Sequence, residues 1–182
     1  DRMPSRGLGD VYKRQQYGLE YSIARPFNAV GIGEVKTETN KKLSENSQNL
    51  ALSHVVPDLI LKCLEYEDEL EILGEGNQIR HYTYGEDLAK GICTLLTHEN
   101  AKNNDFNLST AQSTSVLELA DIIFKKINPD KELKIKNLEP FTYDVQKRIP
   151  STEKAYNLLG FEAKTTLSVS YTHLRAHETA FY

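Results

Sequence analysis

Apolar residues along this chain recur at two spacings, one typical of helices and one typical of strands. The clearest arrangement spans Leu70–Thr94, where the apolar run Leu70–Leu73 is followed by a turn containing Gly74 and Gly76. Beyond the turn, four apolar residues lie at helical spacing: Leu88, Ile92, Leu95 and Leu96. The segment therefore predicts a strand, a turn, a second strand and a helix.

Two further helices are predicted, one on each side of this segment. The first has Pro57 in its opening turn and an apolar stripe formed by Val56, Leu59, Ile60, Cys63 and Leu64. The second begins with a capping box, in which Ser115 is followed three positions later by Glu118. Its apolar face contains Val116, Ala120, Ile123, Phe124 and Ile127.

The rest of the pattern is made of shorter elements. They are a helix end at Tyr17-Gly18, a buried strand at Leu19–Arg25, strands at Phe106–Leu108 and Leu133–Ile135, and a helix at Thr152–Leu159 that Gly160 ends. Residues Val35–Asn49 are polar, and they predict an exposed loop.

Composition narrows the class of protein. The chain has 182 residues, of which 39% are hydrophobic and 26% charged, so it is long enough for one sizeable domain or two small lobes. A net charge of −4 without a basic tract argues against a nucleic-acid surface. No apolar run is long enough to cross a membrane. Two isolated cysteines, Cys63 and Cys93, favour a reducing compartment, and we expect a cytoplasmic location.

Both ends of the chain differ from the sequence beside them. Residues 1–15 and 168–182 show no period and resemble conceptual translations of sequencing-library adapters, so we expect both to be adapter-derived flanks. His173 and His177 have the four-residue spacing of a zinc-binding helix, but no acidic residue is placed as in H-E-x-x-H. No metal site is predicted.

Arg80 is a candidate ligand for an anion. It follows the glycine turn on a predicted strand and lies on the face opposite Ile79. A guanidinium group is always charged, and its flat fork of donors matches two phosphate oxygens at once. The alternative, an ordinary ion pair with Glu75 or Glu86, is equally compatible with the spacing.

A second candidate site is the loop at Arg25–Glu34, R-P-F-N-A-V-G-I-G-E. Loops at strand ends are the usual place for ligand contacts in open parallel sheets. Gly31-Ile32-Gly33 begins a G-x-G pattern, but Lys36 occupies the third glycine position, so this is not a phosphate-binding fingerprint. His54, just before the first helix, either donates to a ligand or caps that helix.

Six segments occur in an order that resembles a known family. They are Y-G-L-E-Y-S-I-A-R-P-F-N-A-V-G, S-H-V-V-P-D-L, I-L-G-E-G-N-Q-I-R-H-Y-T-Y-G-E-D-L-A, F-N-L-S, S-V-L-E-L-A and Y-D-V-Q-K-R-I-P-S-T-E-K-A-Y-N-L-L-G-F. Together they resemble the C-terminal half of an NAD-dependent epimerase/dehydratase, an extended short-chain dehydrogenase/reductase. The resemblance runs from Gln16 to Leu167.

The resemblance implies an α/β fold: the C-terminal part of a Rossmann-type parallel sheet plus a small α/β substrate-binding lobe, with the N-terminal half missing. Residues 16–34 and 83–110 would belong to the nucleotide-binding domain, and residues 35–82 and 111–167 to the substrate-binding lobe. The full-length protein is expected to be a homodimer that binds NAD or NADP and a nucleotide sugar. No nucleic-acid or membrane partner is expected.

The resemblance also implies a cofactor site in the loop that begins at Arg25. Pro26 and Phe27 would lie beside the nicotinamide ring, and Asn28 would reach the diphosphate of the nucleotide sugar. Asp87 matches an aspartate found at a helix start, where a helix cap is the simpler interpretation.

Four more residues are implied as substrate ligands. Arg80 and Arg148 match two arginines that hold the diphosphate from the substrate side. His54 and Val55 fall on the segment that runs past the nucleotide. A diphosphate carries about two negative charges near neutrality, so paired guanidinium groups suit it.

Two motifs of the family do not occur in this sequence: the glycine-rich strand-turn-helix that holds the pyrophosphate of NAD, and the Tyr-x-x-x-Lys pair upstream of R-P-x-N. Tyr143 and Lys147 have the latter spacing, but their position is wrong, so no catalytic residue is predicted. We therefore expect the substrate-side fragment of an epimerase or dehydratase, inactive alone. Two alternatives stay open, a non-catalytic nucleotide-sugar-binding module and a structural domain without a small ligand.

Overall fold

The computed structural model describes residues 12–31, 55–140 and 142–168. The loop predicted at Val35–Asn49 and the ligand or cap predicted at His54 lie outside these residues, as do His173 and His177. Within the described part of the chain, no helix is long and apolar enough to cross a membrane.

The described residues include eight strands, five α-helices and a 3₁₀ helix at Glu99–Ala101. The strands are β1 (Ser22–Pro26), β2 (Ala29–Val30), β3 (Leu70–Leu73), β4 (Ile79–Arg80), β5 (Thr83–Tyr84), β6 (Asn104–Leu108), β7 (Thr114–Ser115) and β8 (Ile135–Leu138). The helices are α1 (residues 12–17), α2 (Val55–Leu64), α3 (Gly85–Thr97), α4 (Val116–Ile127) and α5 (Glu153–Leu159). The predicted strand, turn, strand and helix in Leu70–Thr94 are confirmed, except that the second strand is divided into β4 and β5.

The strands pair two by two among the described residues. Three pairs are parallel, namely β1 with β6, β2 with β5, and β3 with β8, and the fourth pair, β4 with β7, is antiparallel. The second predicted strand is divided because β4 and β5 join different partners. Parallel strands connected through helices characterise an α/β fold, and the predicted fold class is confirmed.

Two hydrophobic clusters hold these elements together. The first lies mainly between α2, β3 and α4, and its most buried side chains include Val56, Cys63, Leu70, Leu119 and Phe124. The second lies between α3, β6 and α5, and includes Leu88, Leu95, Phe106, Leu108 and Leu159. A pocket described below lies at the edge of the first cluster, because Leu59, Ile72 and Tyr82 belong to the cluster and also line the pocket.

Three predicted helix ends are confirmed. Ser115 Oγ accepts from the Glu118 amide at 3.1 Å, and the Glu118 carboxylate accepts from the Ser115 amide at 2.7 Å, which completes the capping box of α4. Gly18 and Gly160 end α1 and α5 with φ of +66° and +63°. Each of these ends depends on local sequence, which explains why the pattern was sufficient to predict it.

Some predicted apolar positions are not buried. They are Leu64, Ile92 and Leu96, which are 48%, 43% and 79% exposed. In α3 the buried face contains Leu88, Gly91 and Leu95 instead. Gly91 lies on this face because Phe161 packs against it, and a Cβ there would be 2.8 Å from Phe161 Cε2. The predicted stripe counted only large apolar residues, and it was therefore rotated around the helix axis.

The strand predicted to be buried at Leu19–Arg25 is also corrected. It is β1, which starts at Ser22, and its side chains are half-buried or exposed. Among the described residues, β6 pairs with one edge of β1 and α3 packs against it, and part of the β1 surface is accessible. Its position in the chain was predicted correctly, and its burial was not.

Candidate functional site

A pocket of about 240 Å³ opens between α2, the turn after β3 and the loop before α5. Its apolar wall is formed by Val55, Leu59, Ile72, Leu73, Tyr82 and Val116. Five charged side chains also line it: Asp58, Lys62, Glu71, Arg80 and Asp144. The pocket thus combines a mainly apolar wall with charged groups, as small-molecule sites commonly do.

The turn between β3 and β4 brings Arg80 to this pocket. Gly74 and Gly76 adopt φ of +66° and +70°, a region that favours glycine, so the chain reverses within a few residues. Gly76 also lies against α4, because a Cβ added to it would be 2.7 Å from Leu117 Cγ. The turn therefore fixes the position of β4 relative to β3, and with it the position of Arg80.

The Arg80 guanidinium is held by three oxygen atoms. Nη1 donates to the carbonyl oxygens of Ile79 at 2.9 Å and Gln146 at 3.5 Å, and Nη2 lies 3.4 Å from Asp144 Oδ1. The Arg80 side chain is only 16% exposed. The alternative ion pair with Glu75 or Glu86 is wrong, because the carboxylate beside Arg80 belongs to Asp144.

Asn28 is brought next to Arg80 by its contacts with the chain between β4 and β5. Its Nδ2 donates to the His81 carbonyl oxygen at 3.1 Å, and its own carbonyl oxygen accepts from the Thr83 amide at 3.0 Å. Asn28 has φ of +37°, a conformation that asparagine tolerates better than most residues. Asn28, Arg80 and Val55, three of the predicted substrate ligands, therefore line one pocket.

His81 anchors the strand segment that links these residues. It is buried, with Nδ1 at 2.8 Å from the Thr110 carbonyl oxygen and Nε2 at 2.9 Å from Ser113 Oγ. A carbonyl oxygen only accepts, so Nδ1 donates to Thr110, and in the neutral ring Nε2 accepts from the Ser113 hydroxyl. The backbone on either side of His81 is held in place by these two bonds.

Arg148 is close to Arg80 through its main chain. Its amide donates to the Ile79 carbonyl oxygen at 3.1 Å, the same oxygen that accepts from Arg80 Nη1. Its side chain is exposed and does not line the pocket. The structure therefore brings the two arginines to one strand edge without bringing both guanidinium groups into the pocket.

Pro26 and Phe27 lie at the carboxyl end of β1. Pro26 is exposed, whereas Phe27 is half-buried and its amide donates to the Leu108 carbonyl oxygen at 3.2 Å. This bond extends the pairing of β1 with β6 by one residue. The two residues form a partly accessible apolar surface one and two positions before Asn28.

The interpretation of Asp87 as a helix cap is wrong. Asp87 is buried, and its Oδ2 accepts a hydrogen bond from the Thr165 amide at 2.8 Å. This bond joins α3 to the chain that follows α5. A local cap could be read from sequence spacing, whereas a contact with Thr165 could not.

The charges that line the pocket nearly cancel. Lys62 lies 2.9 Å from Asp58 and donates to the Glu71 carbonyl oxygen at 3.2 Å. A hydrogen bond from Lys136, aided by its charge, lowers the pKa of Glu71, so Glu71 stays ionised. Three carboxylates therefore face two cations. An anionic ligand would depend on direct contact with a cation, because the lining as a whole is not positive.

Gln78 and Asp144 are among the pocket residues that the sequence analysis missed. Gln78 Nε2 donates to Asp144 Oδ2 at 2.8 Å, while the other oxygen of Asp144 faces Arg80. Gln78 is two positions before Arg80 in the sequence, and this spacing could have indicated a shared face. No local pattern points to Asp144, because it reaches the pocket from the loop before α5.

Comparison with known proteins identifies the family. A family model described as the NAD dependent epimerase/dehydratase family matches residues 11–109. UDP-glucuronic acid decarboxylase 6 from Arabidopsis thaliana is 29% identical over 153 residues, which are 84% of this chain and 39% of that protein. The chain is thus shorter than half of this curated relative.

Solved structures agree in fold. UDP-glucose 4-epimerase from Thermotoga maritima, solved with UDP-glucose, has a TM-score of 0.76 at 25% identity, covering 96% of this chain and 52% of that one. UDP-glucuronic acid 4-epimerase from Bacillus cereus, solved with UDP-glucuronic acid and NAD, has a TM-score of 0.75 at 20% identity, covering 100% and 52%. The family model matches more than half of the residues of this chain, and the chain therefore belongs to the NAD dependent epimerase/dehydratase family.

Proposed function

We propose that this chain forms the nucleotide-sugar side of an NAD(P)-dependent epimerase or dehydratase, with the substrate diphosphate held at Arg80. The observation that carries the proposal is that Asn28 and Arg80 line the same pocket. They come from distant parts of the sequence, and the bond from Asn28 to the residue after Arg80 keeps them together.

Arg80 supplies the charge that a diphosphate needs. A charge-assisted hydrogen bond contributes about 1.5–3 kcal/mol. Both cations of the pocket have carboxylate partners in the structure, Lys62 with Asp58 and Arg80 with Asp144. Arg80 is proposed as the ligand because the residue after it accepts a hydrogen bond from Asn28. Apolar residues of α2 and β3, among them Val55, suit the flat face of a nucleobase. His54 and Arg148 stay predictions as further ligands.

The cofactor NAD or NADP is proposed to lie against Pro26 and Phe27. NAD, when bound, supplies reversible hydride transfer with the sugar. The exposed Pro26 and the half-buried Phe27 fit an apolar wall for a nicotinamide ring, and Asn28 follows them directly. In this proposal the residues of the chain bind and orient the nucleotide sugar, and none is assigned a proton-transfer role.

Isothermal titration calorimetry with UDP-, GDP- and dTDP-sugars tests the proposal. We expect saturable binding of at least one of them, and competition by the corresponding nucleoside diphosphate. The absence of binding by all three, with the chain shown to be folded by circular dichroism, would reject it.

The homodimer expected for the full-length protein stays a prediction that rests on the family resemblance. The cytoplasmic location stays a prediction that rests on the two isolated cysteines. Sedimentation equilibrium of the full-length protein checks the first of these. A mass equal to one subunit at micromolar concentration would contradict it.

A further inference from the structure

The amide nitrogen of Gln78 has hydrogen-bond partners, and the amide oxygen has none among the described residues. Gln78 is 8% exposed, and its Nε2 donates to Asp144 Oδ2 at 2.8 Å, with the Leu73 carbonyl oxygen at 3.5 Å. Its Oε1 is buried and has no hydrogen-bond partner among the described residues. Buried polar atoms without a partner are uncommon in native structures. Because Gln78 lines the pocket, a bound ligand is a candidate partner for Oε1.

The orientation of this amide follows from its neighbours. A carboxylate and a carbonyl oxygen both accept hydrogen bonds, so the group that faces them must be the NH₂ group. Rotating the amide by half a turn would place Oε1 against two acceptors and leave the NH₂ group without either bond. The atom that remains free is therefore the acceptor Oε1.

Gln78 and Arg80 are held by the same carboxylate. Asp144 Oδ2 contacts Gln78, and Asp144 Oδ1 lies 3.4 Å from Arg80 Nη2. Both side chains line the pocket of about 240 Å³. A ligand that uses both would carry an anionic group and, near it, an N–H or O–H donor. Nucleotides have this combination, because ribose hydroxyls and base N–H groups accompany the phosphates.

We propose that Gln78 Oε1 accepts a hydrogen bond from the nucleoside part of the bound nucleotide, and that it selects ligands with a donor at that position. The inference rests on the function proposed for the pocket. Gln78 is a specificity-determining residue in this account. Asp144 is a positioning residue, because its carboxylate orients the Gln78 amide group. The donor is either a ribose hydroxyl or a base N–H group.

Calorimetry with UDP and three analogues distinguishes these donors. The analogues are 2′-deoxy-UDP, 3′-deoxy-UDP and N3-methyl-UDP, each of which removes one donor. We expect one of them to bind the unmodified chain about tenfold more weakly than UDP, because it leaves the buried acceptor without a partner. The identity of that analogue names the donor.

Variants of Gln78 show whether this difference depends on its amide. In Gln78→Leu, UDP and the weak analogue are expected to bind with equal affinity. Gln112→Leu is the matched control, because Gln112 is exposed and lies outside the pocket, and it should keep the tenfold difference. Gln78→Met provides a second unbranched replacement if the leucine variant fails to fold.

The possible results separate this inference from the proposed function. If UDP binds and all three analogues bind equally well, or if the difference persists in both Gln78 variants, the role of Gln78 is overturned and the nucleotide site stands. If UDP and the nucleotide sugars all fail to bind the unmodified chain, the proposed function fails, and the inference fails with it.

Discussion

Replacing Arg80 with alanine is expected to weaken nucleotide-sugar binding by about tenfold to 150-fold. The range corresponds to the loss of one charge-assisted contact, about 1.5–3 kcal/mol. Among the described residues, Lys62 is the only other cation that lines the pocket, and it is paired with Asp58 at 2.9 Å. With Arg80 removed, three carboxylates would face a single cation, which disfavours an anionic ligand further.

The variant Arg80→Lys separates charge from geometry. A lysine keeps the positive charge but lacks the planar fork of donors that contacts Ile79, Gln146 and Asp144. We therefore expect a dissociation constant between those of the unmodified chain and the alanine variant. An affinity equal to that of the unmodified chain would show that charge alone is sufficient.

Calorimetry with UDP-glucose is the assay for these variants. Arg14→Ala serves as the matched control, because Arg14 is exposed and does not line the pocket. Loss of the pair between Arg80 and Asp144 should reduce the free energy of unfolding by about 1 kcal/mol, which thermal unfolding can verify. A dissociation constant for Arg80→Ala within twofold of the control would refute the role of Arg80.

Four further predictions concern stability and reactivity. Gly76→Ala should reduce the free energy of unfolding by about 1–3 kcal/mol, because φ is +70° and the new Cβ would meet a leucine side chain at 2.7 Å. Thermal unfolding checks this against Gly18→Ala, which has open space around the new Cβ and should cost less. Ser115→Ala should reduce the free energy of unfolding by about 1 kcal/mol, because the capping box is lost. A melting temperature equal to that of the unmodified chain would contradict this. The hydrogen bond from the Ser115 amide lowers the pKa of Glu118, so its stabilisation is present at neutral pH and is lost as the pH falls below the carboxyl group's ordinary value of 4.5. The difference in melting temperature between the unmodified chain and Glu118→Gln should therefore shrink in acid. A thiol reagent should modify the exposed Cys93 in the folded chain and Cys63 only after unfolding, because burial raises the pKa of Cys63 to about 12. Rapid modification of both thiols would contradict this.

Local chemistry accounts for what the sequence could predict. The turn after β3 depends on two glycines with positive φ, and the start of α4 depends on Ser115 and Glu118, four residues within short segments. Such features need no knowledge of the rest of the chain. The order of six motifs along the chain indicated the family, and the family model confirms it.

Contacts between distant segments could not be predicted. The partner of Arg80 is Asp144, and nothing near Arg80 in the sequence distinguishes Asp144 from Glu75 or Glu86. Gly91 is another example, because its place on the buried face of α3 depends on Phe161 in the chain after α5. Spacing identifies which residues can share a face, and tertiary structure decides which of them meet a partner.

A crystal structure of the chain with UDP-glucose is the most direct test of the proposed site. We predict a diphosphate within hydrogen-bond distance of the Arg80 guanidinium group and next to Asn28, with a nucleoside donor at Gln78 Oε1. A diphosphate bound elsewhere on the surface, with Arg80 still facing only Asp144 and the neighbouring carbonyl oxygens, would contradict the account.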